Sequence, residues 1–388
     1  MTQDTFMGYV RPDGRVGIRN HVAIIPSCGC ALRAAQMIAA AVDGAVLIDY
    51  HEGCGITDAD MELAKGWLTA FGRHPNVIGS VVVGLGCEGL DPHDLGARVA
   101  EGWAPSETLV IQEQGGTRST ADKGIAFARQ MVNAAKTMHR EPCPIAALTI
   151  GLECGGSDAT SGMAANPALG EFSDLMTAQA AKVILAETSE LLGAEHVLRQ
   201  RSASPEIADR LIATIDACEA FLKSTGEDFM GKQPSPGNVR GGITTVEEKA
   251  LGDVRKGGTS PIVDVLAYGD PPTLPGLSFM DTPGNDLTSV VGLVAGGSHI
   301  VTFTTGRGNP MGNPIVPVIK ITGNPQTYAK MTDDMDVNAG LAITGEKTLA
   351  EVGRDIYDLS LRVAEGQLTK AEALGHGEFM ILRQGPIY

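Results

Sequence analysis

Aromatic side chains are scarce in this 388-residue chain, at 4% of positions, so its cores are not built around bulky rings. It has no run of lysines or arginines. The 30 basic residues are outnumbered by 46 acidic ones, a formal charge of −16, which argues against nucleic acid and anionic membrane surfaces as partners. No apolar stretch reaches the roughly 18–20 residues that span a bilayer. The first residues, Met1-Thr-Gln-Asp-Thr-Phe-Met7, lack the basic-then-apolar order of a signal peptide, and the expected location is the cytoplasm. Seven cysteines make no disulfide scaffold in so long a chain. Their expected roles in a reducing compartment are core residue, metal ligand or reactive thiol. Three nucleotide and hydrolase signatures are also missing. No GxGxxG follows a strand, no Gly-rich loop ends in Gly-Lys-[Ser/Thr], and no Gly-x-Ser-x-Gly elbow occurs, so dinucleotide sites, P-loops and many hydrolases drop out.

What is present is apolar material and glycine. Apolar residues make up 43% of the chain and glycines number 49, enough for extensive cores joined by tight turns. The length suits two domains or one large α/β unit. Short apolar runs at 21–26, 45–49, 77–83 and 108–112 read as buried strands, with helices near 31–41, 58–71 and 119–136, the second capped by Asp58. Such alternation predicts a parallel sheet covered on both faces, a Rossmann-like doubly wound lobe. Arg140-Glu-Pro-Cys-Pro144 breaks the pattern, so the division is placed at 1–142 and 143–388. The second α/β lobe restarts with strands at 147–152, 182–186 and 300–304 and helices at 166–180, 205–224 and 349–364. Residues 232–258, rich in Gly, Pro, Thr and charge, read as a long loop of functional or disordered type. The architecture expected is two α/β lobes with the site in a cleft at the carboxyl ends of the strands.

The chemistry-bearing residues gather at those ends. Cys28 and Cys30 follow the first strand, His51 and Cys54 the second, and Cys87 and Glu88 the third. Gln112 ends the fourth, and Cys154 lies at the equivalent point of the second lobe. Ligands of open parallel sheets bind beyond strand carboxyl ends. A buried cysteine is more often a small hydrophobe than a ligand, and Cys143 and Cys218 are assigned that structural role. Thiolates with imidazole and carboxylate nearby suit iron, manganese, zinc or an iron–sulfur cluster. Three further loops carry anion-binding groups: Gly14-Arg-Val-Gly-Ile-Arg-Asn20, the stretch 237–249 and Phe303-Thr-Thr-Gly-Arg-Gly308.

Seven segments resemble the altronate/galactarate dehydratase family: 6–20, Gly84-Leu-Gly-Cys-Glu88, Gly151-Leu-Glu-Cys-Gly-Gly-Ser-Asp158, 165–170, Pro234-Ser-Pro-Gly-Asn238, 241–245 and 303–308. They run in order along nearly the whole chain. The resemblance implies a lyase using iron(II) or manganese(II), converting a 2,3-dihydroxy sugar acid to a 2-keto-3-deoxy acid. A related branch, the (2R)-sulfolactate sulfo-lyases, releases sulfite. A third reading is a non-catalytic ligand-binding subunit. Long family members carry a small SAF-type domain before the segment matched here at residue 6, so a separate small SAF-domain subunit of about a hundred residues is expected, following that family pattern and closing the site. A homo-oligomer of the large subunit is expected as well.

Elimination from a small anionic hydroxy acid requires a base for a weakly acidic α-proton and a Lewis acid for the charge that develops. The expected metal ligands are His51, Cys54, Cys87 and Cys154, then Cys30 and Glu88. Arg19, Asn20, Gln112, Ser157, Asp158, Asn238, Thr304, Thr305 and Arg307 are the expected substrate contacts. Lys249 is the first choice of base, ahead of His51, while Glu187 and Glu190 read as metal ligands or acids.

Overall fold

The computed structural model describes residues 4–226 and 228–387. Its chain divides into two compact units. The N-terminal unit comprises Met7–Cys143, Asn313–Val316 and the described residues from Gly377 on; the C-terminal unit holds residues 4–6, Pro144–Gly312 and Pro317–His376. Residues 313–316 and those from Gly377 on, expected in the second lobe, therefore pack with the first.

A four-stranded parallel sheet centres the N-terminal unit, in the order Ala45–Leu47, His21–Pro26, Val77–Gly84, Ser106–Val110. Val77–Gly84 is buried at every position, as a continuous apolar run in a doubly covered sheet must be. The helices Leu32–Ala41 and Thr117–Ala135 pack on it through Ala34, Ala35, Ile38, Ala121 and Ala128. Small side chains let those helices lie close, which is why few aromatics suffice. Two local readings need correction. Thr57, not Asp58, caps the second helix by accepting from the Asp60 N–H. Gln112 does not end a strand, because the strand stops at Val110 and Ile111–Gln114 forms a helical turn.

The C-terminal unit is built on seven parallel strands, ordered Ile262–Leu266, Gly276–Met280, Lys182–Leu185, Thr149–Cys154, Ile300–Thr305, Val318–Thr322, Val337–Asn338. Four of these had no counterpart in the sequence reading. Val318–Thr322 hides because Lys320 interrupts its apolar run and is nevertheless fully buried. The stretch 232–258 is not an irregular loop. Ser235 and Thr245 cap the helices Pro236–Arg240 and Val246–Asp253, and a 3₁₀ turn, Val254–Gly257, follows. Strand order reverses direction at Thr149–Cys154: the next strand in sequence lies on one side and Ile300–Thr305 on the other. That is a topological switch point, where the loops leaving neighbouring strands part and open a crevice. Among the described residues, no helix is long and apolar enough to cross a membrane.

Candidate active site

Cys154 ends the strand at the switch point and is buried. Glu187 follows the adjacent strand Lys182–Leu185 and takes a left-handed backbone, φ +71°. A non-glycine residue there costs roughly 1–3 kcal/mol and persists only where its surroundings enforce it. The enforcement is visible: the Glu187 N–H donates to Thr282 Oγ1 at 2.7 Å, and the Thr188 N–H to the Thr282 carbonyl at 3.0 Å. This turn aims the carboxylate inward, where Glu187 Oε2 accepts from the Cys154 N–H at 2.9 Å.

The helix Val246–Asp253 and the turn after it supply the other half. Asp253 Oδ1 accepts from the Cys154 thiol at 2.8 Å. Lys256 Nζ, with no exposed surface, lies 2.5 Å from Glu187 Oε2 and 2.7 Å from Asp253 Oδ1. One turn earlier Lys249 forms an ion pair with Glu190. Behind them Glu153 accepts from Ser289 at 2.6 Å. Asp286, which accepts from Asn309 at 2.6 Å, sits against Gly155. A Cβ on that glycine would come within 2.2 Å of the Asp286 carboxylate, so only glycine lets the backbone pass.

Charge is unbalanced in this cluster. Burial pushes the Glu187 carboxyl up to about 8, with Asp253 and Glu190 adding to the rise against the pull of Lys256. Burial also raises Glu190, Glu153 and the Cys154 thiol. Lys256 and Lys249 move the other way from a desolvated amine: burial works to lower them, yet the surrounding carboxylates hold both protonated. One oxygen of Glu153 and one of Asp253 are buried without a partner. Cys154, Glu187 and Asp253 offer ligand atoms within 4.8 Å of one another, as do Glu153, Glu187 and Asp286. A surplus of carboxylates, a thiol and unpartnered oxygens is a donor set that fits a divalent cation. The cavity in front of it has a volume of about 260 Å³ and is lined by Cys154, Glu187, Glu190, Lys249 and Asp286, with Ser157, Gln233, Ser235, Asn238 and Arg307 at its polar side.

The expected residues fall into two groups. Cys154, Glu190, Lys249, Ser157, Asn238 and Arg307 line this one cavity. Lys249, expected as the base, is ion-paired with Glu190, and the neighbouring carboxylates favour its protonated form. Asp158 is turned inward, bound by Thr160 and by Asn324 at 3.0 Å. Thr304 is fully buried and donates to Asn166 at 2.6 Å, while the Thr305 hydroxyl accepts from the Gly308 N–H. These three fix the loops and do not line the cavity. Cys30, His51, Cys54, Cys87, Glu88, Arg19, Asn20 and Gln112 all belong to the N-terminal unit. There Arg19 is buried and donates to the Ile18 carbonyl, and Asn20 accepts from Arg11. His51 is exposed and lies 3.3 Å from Asp49. Glu88 is held by Ser27 and the Leu85 and Gly86 N–H groups. Cys143 is buried and Cys218 half-buried, in keeping with structural roles. Sequence reasoning missed Asp253, Lys256, Glu153 and Asp286.

Fold and site together define an α/β enzyme whose polar cluster sits at a sheet switch point. Residues 145–387 match the family D-galactarate/altronate dehydratase, C-terminal, and residues 8–136 match D-galactarate dehydratase/altronate hydrolase, second domain. The (2R)-sulfolactate sulfo-lyase subunit beta of Chromohalobacter salexigens is 38% identical over 98% of this chain and 97% of its own. The altronate dehydratase of Bacillus subtilis is 36% identical over 98% of this chain and 78% of its own. The galactarate dehydratase (L-threo-forming) of Escherichia coli is 35% identical over 99% and 77%. The chain belongs to the D-galactarate/altronate dehydratase family, and it is a lyase.

Proposed function

We propose that this chain is the large catalytic subunit of a hydro-lyase that removes the β-hydroxyl of a sugar acid, giving a 2-keto-3-deoxy acid. The observation that carries the reading is the Cys154–Glu187–Glu190–Lys249 cavity at the switch point. Its lining also offers Ser157, Gln233, Ser235 and Asn238, polar side chains suited to an oxygen-rich acid. Arg307, exposed at the rim with its guanidinium 2.5 Å from the Gly237 carbonyl, holds the substrate carboxylate. Glu190, its pKa raised by burial, takes the α-proton. Lys249, kept protonated by Glu190, faces the charge that develops and delivers a proton to the leaving hydroxyl. Iron(II) or manganese(II) would be held by Cys154, Glu187 and Asp253, and when bound would supply Lewis acidity for the substrate oxygens. The enol released tautomerises to the 2-keto acid, so no redox partner is required.

One observation favours a second leaving group. The sulfo-lyase subunit is 38% identical to this chain over 98% of it, and that likeness supports sulfite release from 3-sulfolactate. The same relative's designation as a subunit supports a small partner chain, expected from the family to be SAF-like, that completes the enzyme. The seven free thiols suit a reducing cytoplasm. The test is an assay of the chain co-expressed with its partner on sugar acids and on 3-sulfolactate, with and without chelation. A 2-keto-3-deoxy acid formed only with iron(II) or manganese(II) is the expected product. Sulfite with pyruvate would replace the first reading by the second, and full activity after exhaustive metal removal would remove the metal from both.

Arg307→Lys should raise KM about tenfold or more and leave Tm unchanged. A lysine keeps the charge but cannot bind a carboxylate through two parallel hydrogen bonds. An unchanged KM would take the carboxylate away from Arg307.

A further inference from the structure

The proposed reaction leaves one group of reactive side chains unused. Cys30, Cys54 and Cys87 are free and exposed, each on a loop leaving a different strand of the N-terminal sheet. The loops are fixed to one another. Gly29 N–H donates to the Glu52 carbonyl at 3.2 Å, Leu90 N–H to the Gly53 carbonyl at 2.9 Å, and Ser27 Oγ to Glu88 at 2.6 Å. They also touch backbone to backbone: a Cβ on Gly53, at φ +95°, would fall 1.9 Å from the Ser27 carbonyl oxygen, and one on Gly29 2.5 Å from that of His51. Glycine is therefore required at both contacts. The result is a rigid rim that carries three thiols.

Exposed thiols are oxidation-prone and disfavoured on a surface without a purpose. Spacing narrows what they can hold. A single tetrahedral zinc with Zn–S bonds near 2.3 Å needs its sulfurs about 3.8 Å apart. These thiols are in no group of three ligand atoms within 4.8 Å, the described groups all being in the C-terminal unit. A cluster of several irons places each cysteine on a different metal atom and so takes wider spacing. We infer that Cys30, Cys54 and Cys87 hold an iron–sulfur cluster of the [4Fe–4S] type. Three thiolates for four irons leave one iron without a cysteine.

The full chain, purified without oxygen and reconstituted with ferric iron, sulfide and excess thiol, tests this. About four iron and four acid-labile sulfide per chain are expected, with a broad visible absorption and a paramagnetic signal on reduction. Each of Cys30→Ser, Cys54→Ser and Cys87→Ser should lose most of the sulfide, while Cys143→Ser, Cys218→Ser and Cys154→Ser should keep it. Circular dichroism of each variant separates cluster loss from unfolding. Iron without sulfide, a zinc ion bound through the same thiols, or a cluster retained in all three variants would overturn the assignment. Because iron and sulfide are read without an assay, this outcome is independent of which acid the enzyme consumes.

Discussion

Glu190→Gln is expected to lower kcat by about 10²–10⁴-fold, the range lost with a positioned general base. Glutamine has the shape of glutamate and can still accept from Lys249, so the fold should survive the change. What disappears is the capacity to take a proton. The wild-type acid limb should also be diagnostic. Burial raises the Glu190 carboxyl, against the lowering effect of Lys249, and only its unprotonated form is a base. Activity should therefore fall as pH drops through a value above the ordinary carboxylate range. Lys249 must stay protonated, and its raised pKa moves the alkaline limb beyond the ordinary lysine value. Adding Lys249→Met to Glu190→Gln should cost less than the two single effects combined, because the pair acts as a unit. An unchanged kcat in Glu190→Gln would place the base elsewhere.

The parallel sheets were legible where apolar runs were unbroken. His21–Pro26, Val77–Gly84 and Thr149–Cys154 are buried over almost their whole length, and such segments announce themselves. Pro205–Ser224 and Leu349–Ala364 coincide with the expected helices because Ser204 and Thr348 cap them and their apolar positions repeat at helical spacing. Gly276–Met280 and Val318–Thr322 were hidden, since one opens on a glycine and the other carries a lysine at its centre. Five residues are also too few for periodicity to decide between strand and helix.

In the site, the strand-end rule found Cys154, Glu187 and Glu190, because each follows a run that reads as a strand. It could not find Asp253 and Lys256, which lie at no strand end. They belong to a stretch that looked like a loop because its helix, Val246–Asp253, is only eight residues long and carries Glu247, Glu248, Lys249 and Asp253. A signal was nevertheless there. Lys249, Asp253 and Lys256 are spaced by four and three, so they share one face of a helix. Charges on the buried face of a short helix are costly unless they are paired, and here each is paired. Composition gives no hint of that burial, since the acids and lysines that meet, Glu187 with Lys256 and Glu190 with Lys249, come from segments far apart in the sequence.

Lys256→Met tests that pairing most severely. Lys256 has no exposed surface and bridges Glu187 and Asp253 at 2.5 and 2.7 Å. Removing one partner of a buried pair strands the other charges, a loss of about 3–5 kcal/mol. Methionine fills nearly the same volume, so the loss reports charge more than packing. The pH dependence gives the sign. Glu187 in the folded protein is pushed up to about 8 by burial, above its value in an unfolded chain. Its contribution to stability is fully present below the ordinary carboxylate range and is lost as pH rises through about 8. Without Lys256 the main force pulling that carboxyl down is gone, so its folded-state pKa rises further and the loss at high pH deepens. The variant should therefore lie closer to the wild type in denaturant midpoint at pH 5 and fall well behind it at pH 8–9. Manganese(II) at saturating concentration should recover part of the difference, because a cation that binds only the folded state stabilises it by mass action. An equal deficit at every pH, insensitive to manganese, would show that Lys256 serves as packing and that the cluster carries no surplus of negative charge.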